Sequence, residues 1–202
     1  MNKIIDIIFK DIKKDKNIYI SLIIVLLISL VFGIFFITIL TSEDKALLIS
    51  HINTYFDSIK SGSIKSNLYN NLVSNNIGIF ILWIIGFSII GLPLIIAILF
   101  YKGFSLSFTI TSLIYNFRLD GIFFSFIYVF PHLILNLLFY FIVTYYSFKM
   151  CINLIWIISG KSKFNIKTLK KYLFILVISL FFISLSSLYE TYILPYLIKI
   201  IY

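Results

Sequence analysis

The sequence predicts an all-α polytopic membrane protein with five transmembrane helices, a cytoplasmic N-terminus, an extracytoplasmic C-terminus and one extracytoplasmic amphipathic helix. Of its 202 residues, 61% are hydrophobic and 12% are charged, and the mean hydropathy is +1.07. Soluble domains average about a quarter charged residues, and a soluble fold of this length could not hide so much apolar surface. The net charge of +9 arises from lysines that flank apolar runs, which indicates orientation in a membrane rather than nucleic-acid binding.

The N-terminal region predicts an interfacial helix followed by a first span. In residues 1–17 the isoleucines recur at helical spacing and the lysines lie mainly on the other side. Such a helix lies on an anionic membrane surface, and a frayed basic tail is the alternative. Residues 18–40 form an apolar run that would cover about 35 Å as a helix, enough to cross a hydrocarbon core of about 30 Å.

The segment 41–76 is predicted to be an extracytoplasmic loop that contains an amphipathic helix near 43–60. Thr41 or Ser42 would cap this helix, and its apolar residues repeat at helical period. The stripe comprises Leu48, Ile52, Tyr55, Phe56 and Ile59. Its face would rest on lipid headgroups or on the protein's own helices, or it would dock a helix of a partner protein.

The apolar run 77–117 is too long for one span. As one helix it would measure about 62 Å, twice the hydrocarbon thickness, and its one charged residue is Lys102. Glycine breaks a helix at low cost and a lysine reaches the membrane interface. Lys102 and Gly103 are therefore the predicted turn, at a cytoplasmic corner.

This turn defines the remaining spans. The second, 77–101, is bent at Gly91 and Pro93, because proline removes a backbone donor. The third, 103–117, is short, so it is either a thin span or part of a re-entrant segment. The other segments are a fourth span over 121–149 bent at Pro131, a basic cytoplasmic loop over 159–171, and a fifth span over 172–190 that Pro195 follows.

The distribution of basic residues decides between these alternatives. With five spans, twelve lysines lie on the cytoplasmic side and five basic residues lie outside. With a re-entrant hairpin over 104–130, the numbers become eight and nine. Cytoplasmic loops of membrane proteins are enriched in lysine and arginine, so the bias favours five spans.

The chain has no recognisable catalytic or cofactor motif, and its few ionisable groups at membrane depth suit structural roles. His132 follows Pro131 and is predicted to hydrogen-bond within the bundle, with Asn136 one turn on as its partner. Glu190, between two tyrosines, is predicted to be interfacial and able to pair with Arg118 or Lys199. We expect no enzyme activity, no cofactor and no metal.

Four stretches carry a resemblance to a known family. They are Ile90-Gly91-Leu92-Pro93, Phe100-Tyr101-Lys102-Gly103-Phe104, Asp120-Gly121-Ile122-Phe123-Phe124-Ser125-Phe126 with Pro131, and Tyr189-Glu190-Thr191-Tyr192-Ile193-Leu194-Pro195-Tyr196. In this order and spacing, over about residues 17–200, the chain resembles the stage II sporulation protein M family. Broader relatives often carry Pro-His-Gly-x-x-Glu in the fourth span. Here Leu133 and Asn136 replace the glycine and the glutamate, so no role of that glutamate is carried over.

The resemblance implies a non-catalytic role in sporulation. Members of the family look like membrane scaffolds of the mother cell, which localise and retain peptidoglycan-degrading partners at the septal membrane during engulfment. The implied partners are stage II sporulation proteins D and P, a lytic transglycosylase and an amidase and endopeptidase. In this interpretation the stripe on the 41–76 segment docks a membrane-proximal segment of a partner.

The alternative is a small permease or channel of the same membrane family that acts without cell-wall enzymes. Its path would be lined by hydroxyl groups and one imidazole, from Ser105, Thr109, Ser112 and His132. A continuous polar cavity would favour this alternative.

Overall fold

The computed structural model describes residues 15–61, 68–129, 131–163 and 165–201, and almost all of these residues are helical. The predicted interfacial helix over 1–17 lies almost entirely outside this part of the chain. The helices are α1 (Lys16–Ile39), α2 (Ser42–Ser61), α3 (Leu68–Ile85), α4 (Gly91–Phe117), α5 (Leu119–Val129), α6 (Leu133–Ile158), α7 (Ile166–Leu188) and α8 (Leu194–Ile201). A π-helical turn, Tyr189–Ile193, joins α7 to α8.

Five helical segments of the described chain are long and apolar enough to cross a membrane. They are α1, α3, α4, α6 and the continuous segment Ile166–Lys199. This agrees in number with the five predicted spans. The outward surfaces of these helices remain apolar, and on α1 the side chains of Leu27, Val31 and Phe35 are 54%, 49% and 61% exposed. Lipid chains solvate such surfaces, so a membrane helix has no need to bury them in protein.

The two ends of the bundle differ in charge. At one end, α1, α4 and α7 begin and α3 and α6 end. We call it the basic end, because its described charged residues are one aspartate, Asp15, and seven lysines: Lys16, Lys149, Lys161, Lys163, Lys167, Lys170 and Lys171. An ion pair between Lys149 and Asp15 joins α6 to the start of α1 there. The opposite end, which we call the α2 end, carries α2, α5 and α8.

The chain turns between α3 and α4 at residues 86–90, so the predicted turn at Lys102–Gly103 is wrong. The amides of Gly86, Phe87 and Ser88 each donate to the carbonyl three residues back, a tightening typical of a helix end. Pro93 then lies in the first turn of α4, where its missing N–H has no intrahelical role. Gly91 and Pro93 therefore start a span instead of bending one.

Gly103 lies inside α4 because it serves helix packing. It faces Ser29 of α1, and one turn further Ser107 faces Gly33, so each helix presents two small residues four positions apart. A Cβ atom at either glycine would meet the hydroxyl of the facing serine. Small residues in this spacing let two membrane helices approach closely. The pairing order also shows that α1 and α4 run parallel.

Further predicted boundaries are also wrong. The fifth span begins at Ile166 rather than at residue 172, because Asn165 caps α7 there, so the first turns of α7 lie within the basic loop predicted over 159–171. The second span begins at Leu68, not at residue 77, and includes Asn71, Asn75 and Asn76. Their side-chain amides hydrogen-bond to the last helical segment, Ile166–Lys199, so these polar residues can lie within a span. The predicted fourth span over 121–149 is divided at Pro131 into α5 and α6. Proline removes the donor that would continue the helix.

Helix α5 folds back onto the end of α4. Its 11 residues would cover only about 17 Å, so it is too short to cross a membrane. Gly121 lies against the Leu113 carbonyl, where a Cβ atom would clash, and Arg118 takes a φ of 53° at the corner. The main hydrophobic core lies between the spanning helices and includes Leu22, Ile79 and Val143. Together with α2, α8 and the end of α4, α5 forms a second hydrophobic core at the α2 end, centred on Phe56, Leu113 and Leu194.

Candidate functional site

An open groove of about 240 Å³ lies between α2 and α4 at the α2 end. Leu48, Ile52, Tyr55 and Phe56 of α2 form one wall. The other wall consists of Phe108, Thr109, Ser112 and Leu113 of α4. Four of the five residues of the predicted docking stripe therefore line one surface, and α4 completes it.

Helix α2 forms where its capping sequence predicts. The Thr41 hydroxyl accepts a hydrogen bond from the Asp44 amide at 3.2 Å, which satisfies one of the donors that a helix start leaves unpaired. Glu43 and Asp44 lie in the first turn and Lys60 lies in the last, a distribution that matches the helix dipole. The helix therefore has local stabilisation in addition to its packing.

The stripe divides into a packed part and a groove-facing part. Phe56 and Ile59 are 2% and 4% exposed and belong to the second hydrophobic core, where the Phe56 ring packs on Phe117 and Phe124 with centroids 5.2 and 5.4 Å apart. Leu48 and Ile52 are half-buried, and Tyr55 is 37% exposed. One part of the stripe therefore covers the protein's own helices, and the other part lines the groove; docking of a partner there stays a prediction.

The α4 wall is mostly apolar because its hydroxyl groups bond within the helix. Thr109 Oγ1 donates to the Ser105 carbonyl at 2.8 Å, and Ser112 Oγ donates to the Phe108 carbonyl at 2.6 Å. At the nearby end of α4, the side-chain Nδ2 of Asn116 donates to Asn53 Oδ1 on α2 at 2.8 Å. This bond joins α2 to α4 next to the groove.

The predicted polar residues inside the spans have structural partners elsewhere. Lys102 is half-buried, and its Nζ lies 4.4 Å from the centroid of the Tyr140 ring, a cation–π contact between α4 and α6. His132 is buried, and its carbonyl accepts from Ser186 Oγ at 3.1 Å. A backbone bond joins His132 to Asn136, whose main-chain N–H donates to the His132 carbonyl at 2.9 Å.

Glu190 belongs to a polar seam that the sequence reasoning missed. Its carboxylate accepts from Asn75 Nδ2 at 2.8 Å, and the predicted pairing with Arg118 or Lys199 is not formed among the described residues. Further bonds between α3 and the last helical segment join Asn71 to Thr191, Asn75 to Ser187 and Asn76 to Ser184. The sequence does contain a signal for this seam, because Asn71 and Asn75 are four residues apart and so are the hydroxyl residues Ser187 and Thr191.

Pro195 lies just after the π-helical turn that carries Glu190. The Leu194 amide donates to the Tyr189 carbonyl, five residues back, and Pro195 has no amide to donate. The π-helical turn therefore occurs where the α-helical hydrogen-bond pattern lacks the N–H of residue 195. Within the described ranges, no group of three histidine, cysteine, aspartate or glutamate side chains could hold a metal ion.

The family comparison covers most of the chain. The sequence model of stage II sporulation protein M matches residues 21–195. The chain belongs to the stage II sporulation protein M family. The match covers all five candidate spans in whole or in large part, together with α2 and α5. No curated protein and no solved structure matches the chain. This stage II sporulation protein M family member is therefore a multi-pass sporulation membrane protein.

Proposed function

We propose that this chain is a non-catalytic membrane scaffold that localises and retains peptidoglycan-degrading partners at the septal membrane of the mother cell during engulfment. Membership of the stage II sporulation protein M family supports the sporulation role. The observation that carries the scaffold role is the groove between α2 and α4, an open apolar surface with one wall on a helix outside the five spans.

The orientation in this proposal places the basic end in the cytoplasm. Seven lysines and one aspartate lie there among the described residues. The described charged residues of the α2 end are four basic and five acidic. Lysine and arginine are enriched on the cytoplasmic side of membrane proteins. The groove would then face the compartment that contains peptidoglycan.

The partners in this proposal are stage II sporulation proteins D and P, and the occupant of the groove is a membrane-proximal apolar helix of one of them. A groove lined by leucine, isoleucine, tyrosine and phenylalanine suits an amphipathic helix that inserts its apolar face. The Tyr55 hydroxyl and His51 at the rim would supply polar contacts.

The test is co-purification of proteins D and P with the tagged chain from solubilised membranes of sporulating cells. We expect Leu48→Asp and Ile52→Asp to reduce recovery of a partner about tenfold or more, since a buried unpaired charge costs several kcal/mol at an interface. The same variants should impair membrane migration around the forespore in dye microscopy. Phe56 is unsuitable for this test, because it is part of the hydrophobic core.

Leu47→Asp is the matched control, because Leu47 is 58% exposed on the same helix and does not line the groove. It should leave partner recovery unchanged. Full recovery of both partners with Leu48→Asp and Ile52→Asp would contradict docking in the groove. The permease alternative gains no support from the site, since Thr109 and Ser112 line the groove whereas His132 contacts Ser186 and Tyr189.

A further inference from the structure

A row of polar residues runs along α4 from the groove toward the middle of the membrane. Its members lie three or four positions apart, which places them on one face of a helix. We call this row the α4 polar face, and it comprises Lys102, Ser105, Thr109 and Ser112. Thr109 and Ser112 line the groove between α2 and α4. Lys102, Ser105 and Thr109 are half-buried, so part of each residue is open to the surroundings.

Lys102 lies near the middle of the membrane. It is about 17 Å along α4 from Gly91, which begins the helix at the basic end. The next residue, Gly103, packs on Ser29, which is about 20 Å along α1 from Lys16. Half of the hydrocarbon core measures about 15 Å, so both helices place Lys102 at mid-span. An ionisable residue at this depth is costly, and the usual reason for it is a functional contact.

The protein supplies Lys102 with an aromatic contact but with no counter-ion among its described residues. The Nζ atom lies 4.4 Å from the centroid of the Tyr140 ring, and no ion pair to Lys102 is formed within the described ranges. The one carboxylate in the described parts of the five candidate spans belongs to Glu190, which accepts from Asn75 Nδ2 at 2.8 Å. The carboxylate that a second copy of the chain could offer at membrane depth is therefore already engaged.

Ser105 differs from the other serines and threonines of α4. Each of those donates to a carbonyl of its own helix; they are Ser107, Thr109, Thr111 and Ser112. No such bond is formed by the Ser105 hydroxyl within the described chain. Lys102 and Ser105 are three residues apart, so their side chains are neighbours on the helix surface. An ammonium group and a hydroxyl group side by side can both donate to one carboxylate.

These features select the chemistry of the helix that docks in the groove. Beyond the groove, such a helix would enter the bilayer along the α4 polar face, where small hydroxyl residues permit close approach. Its residue opposite Lys102 would lie about 10 Å deeper than its residue opposite Thr109. We propose that the docking helix is a transmembrane helix whose mid-span aspartate or glutamate pairs with Lys102 and Ser105. This inference rests on the proposed docking in the groove, and it adds the charge that the partner helix must carry.

The experiment measures the association of the full chain with synthetic transmembrane peptides in phosphatidylcholine vesicles by Förster energy transfer. Two leucine-rich peptides share an apolar extension for the groove and differ in one mid-span residue, which is aspartate in one and asparagine in the other. We expect the aspartate peptide to associate about tenfold more tightly, because a neutral amide cannot compensate the ammonium charge. Lys102→Met should abolish this preference and Lys102→Arg should retain it, whereas Ser105→Ala should reduce it about threefold.

Lys170→Met is the matched control, because it removes the same charge from an exposed position at the basic end. It should leave the preference for the aspartate peptide unchanged. Equal association of both peptides with the natural chain would overturn the pairing, as would a preference that survives Lys102→Met. Energy transfer between two labelled copies of the chain that is lost in Lys102→Met would assign the α4 polar face to a second copy and would also overturn the proposal.

Ile52→Asp separates this inference from the proposed function, because Ile52 lines the groove and lies on α2. This variant should weaken the association of both peptides alike. Weakening by Ile52→Asp without any preference for aspartate would support docking in the groove and overturn the pairing. A preference for aspartate that Lys102→Met abolishes, with no effect of Ile52→Asp, would support the pairing and contradict docking in the groove.

Discussion

At the residue scale, glycines and prolines have roles that depend on their neighbours rather than on their own preferences. Gly103 and Gly86 have the same intrinsic freedom, yet Gly103 is helical and Gly86 begins a turn. Both glycines allow a close contact: Ser29 of α1 packs on Gly103, and the Tyr172 hydroxyl and Ser147 lie against Gly86. Pro93, which has no N–H to donate, fits the first turn of α4 and disfavours a helix that would run on unbroken from α3.

The crossing of α1 and α4 gives a prediction at this scale. We expect Gly103→Leu to lower the free energy of unfolding by about 2 kcal/mol, because the added side chain would overlap the Ser29 side chain. Denaturant titration of the purified chain in detergent measures this. Ala97→Leu is the control, since Ala97 is exposed on the same helix. Equal stability of Gly103→Leu and the natural chain would contradict the close crossing.

At the element scale, α2 is the helix whose existence and start are readable from the sequence. Its cap at Thr41, its acidic first turn and its apolar period agree with one another, and the structure contains the helix at Ser42–Ser61. The sequence did not show which residues of its apolar face pack on the protein and which line the groove. Whether Phe56 meets Phe124 or a partner depends on where α5 folds, and local sequence carries no information on that placement.

The cap of α2 can be tested directly. Thr41→Ala should destabilise the helix by about 1 kcal/mol, because the Asp44 amide loses its acceptor. Hydrogen exchange of the first-turn amides should then be about fivefold faster. Thr54→Ala serves as the comparison, since Thr54 is exposed and bonds only to the carbonyl of Ser50 within the helix. Unchanged exchange in Thr41→Ala would show that packing alone maintains the start of α2.

At the scale of the whole molecule, the helices form one bundle whose two ends differ in charge and in polar contacts. The lysines gather at the basic end, and the polar seam from α3 to the last helical segment lies toward the α2 end. Lys102 no longer contributes to the charge of either end, because it lies within α4. The remaining distribution still favours a cytoplasmic basic end.

Cysteine labelling in intact cells tests this orientation. We expect a membrane-impermeant maleimide to label Glu43→Cys at the α2 end and to leave Lys161→Cys at the basic end unlabelled until the membrane is permeabilised. The natural Cys151 is buried, with its Sγ 3.1 Å from the Ser88 carbonyl, so the background should be low. Labelling of Lys161→Cys alone in intact cells would reverse the orientation.

The sequence by itself determined the properties that depend on composition and on local pattern. A high apolar content, a scarcity of charge and long hydrophobic runs require helices that satisfy their own backbone in lipid, so five spanning helices followed from the sequence. The capping residues of α2 determined where that helix starts. The four ordered stretches also led to the family that the sequence model supports.

Only the tertiary structure decided where the spans begin and end and which polar groups they contain. Asparagines at 71, 75 and 76 enter a span because Ser184, Ser187 and Thr191 on another helix supply partners. An unpaired amide in hydrocarbon costs several kcal/mol, whereas a paired one does not. The groove was undecided for the same reason, because its second wall comes from α4, which lies about 60 residues further along the chain. Contacts between residues far apart in the sequence determine both the polar residues of the spans and the groove. The pattern of residues within a single segment does not reveal such contacts.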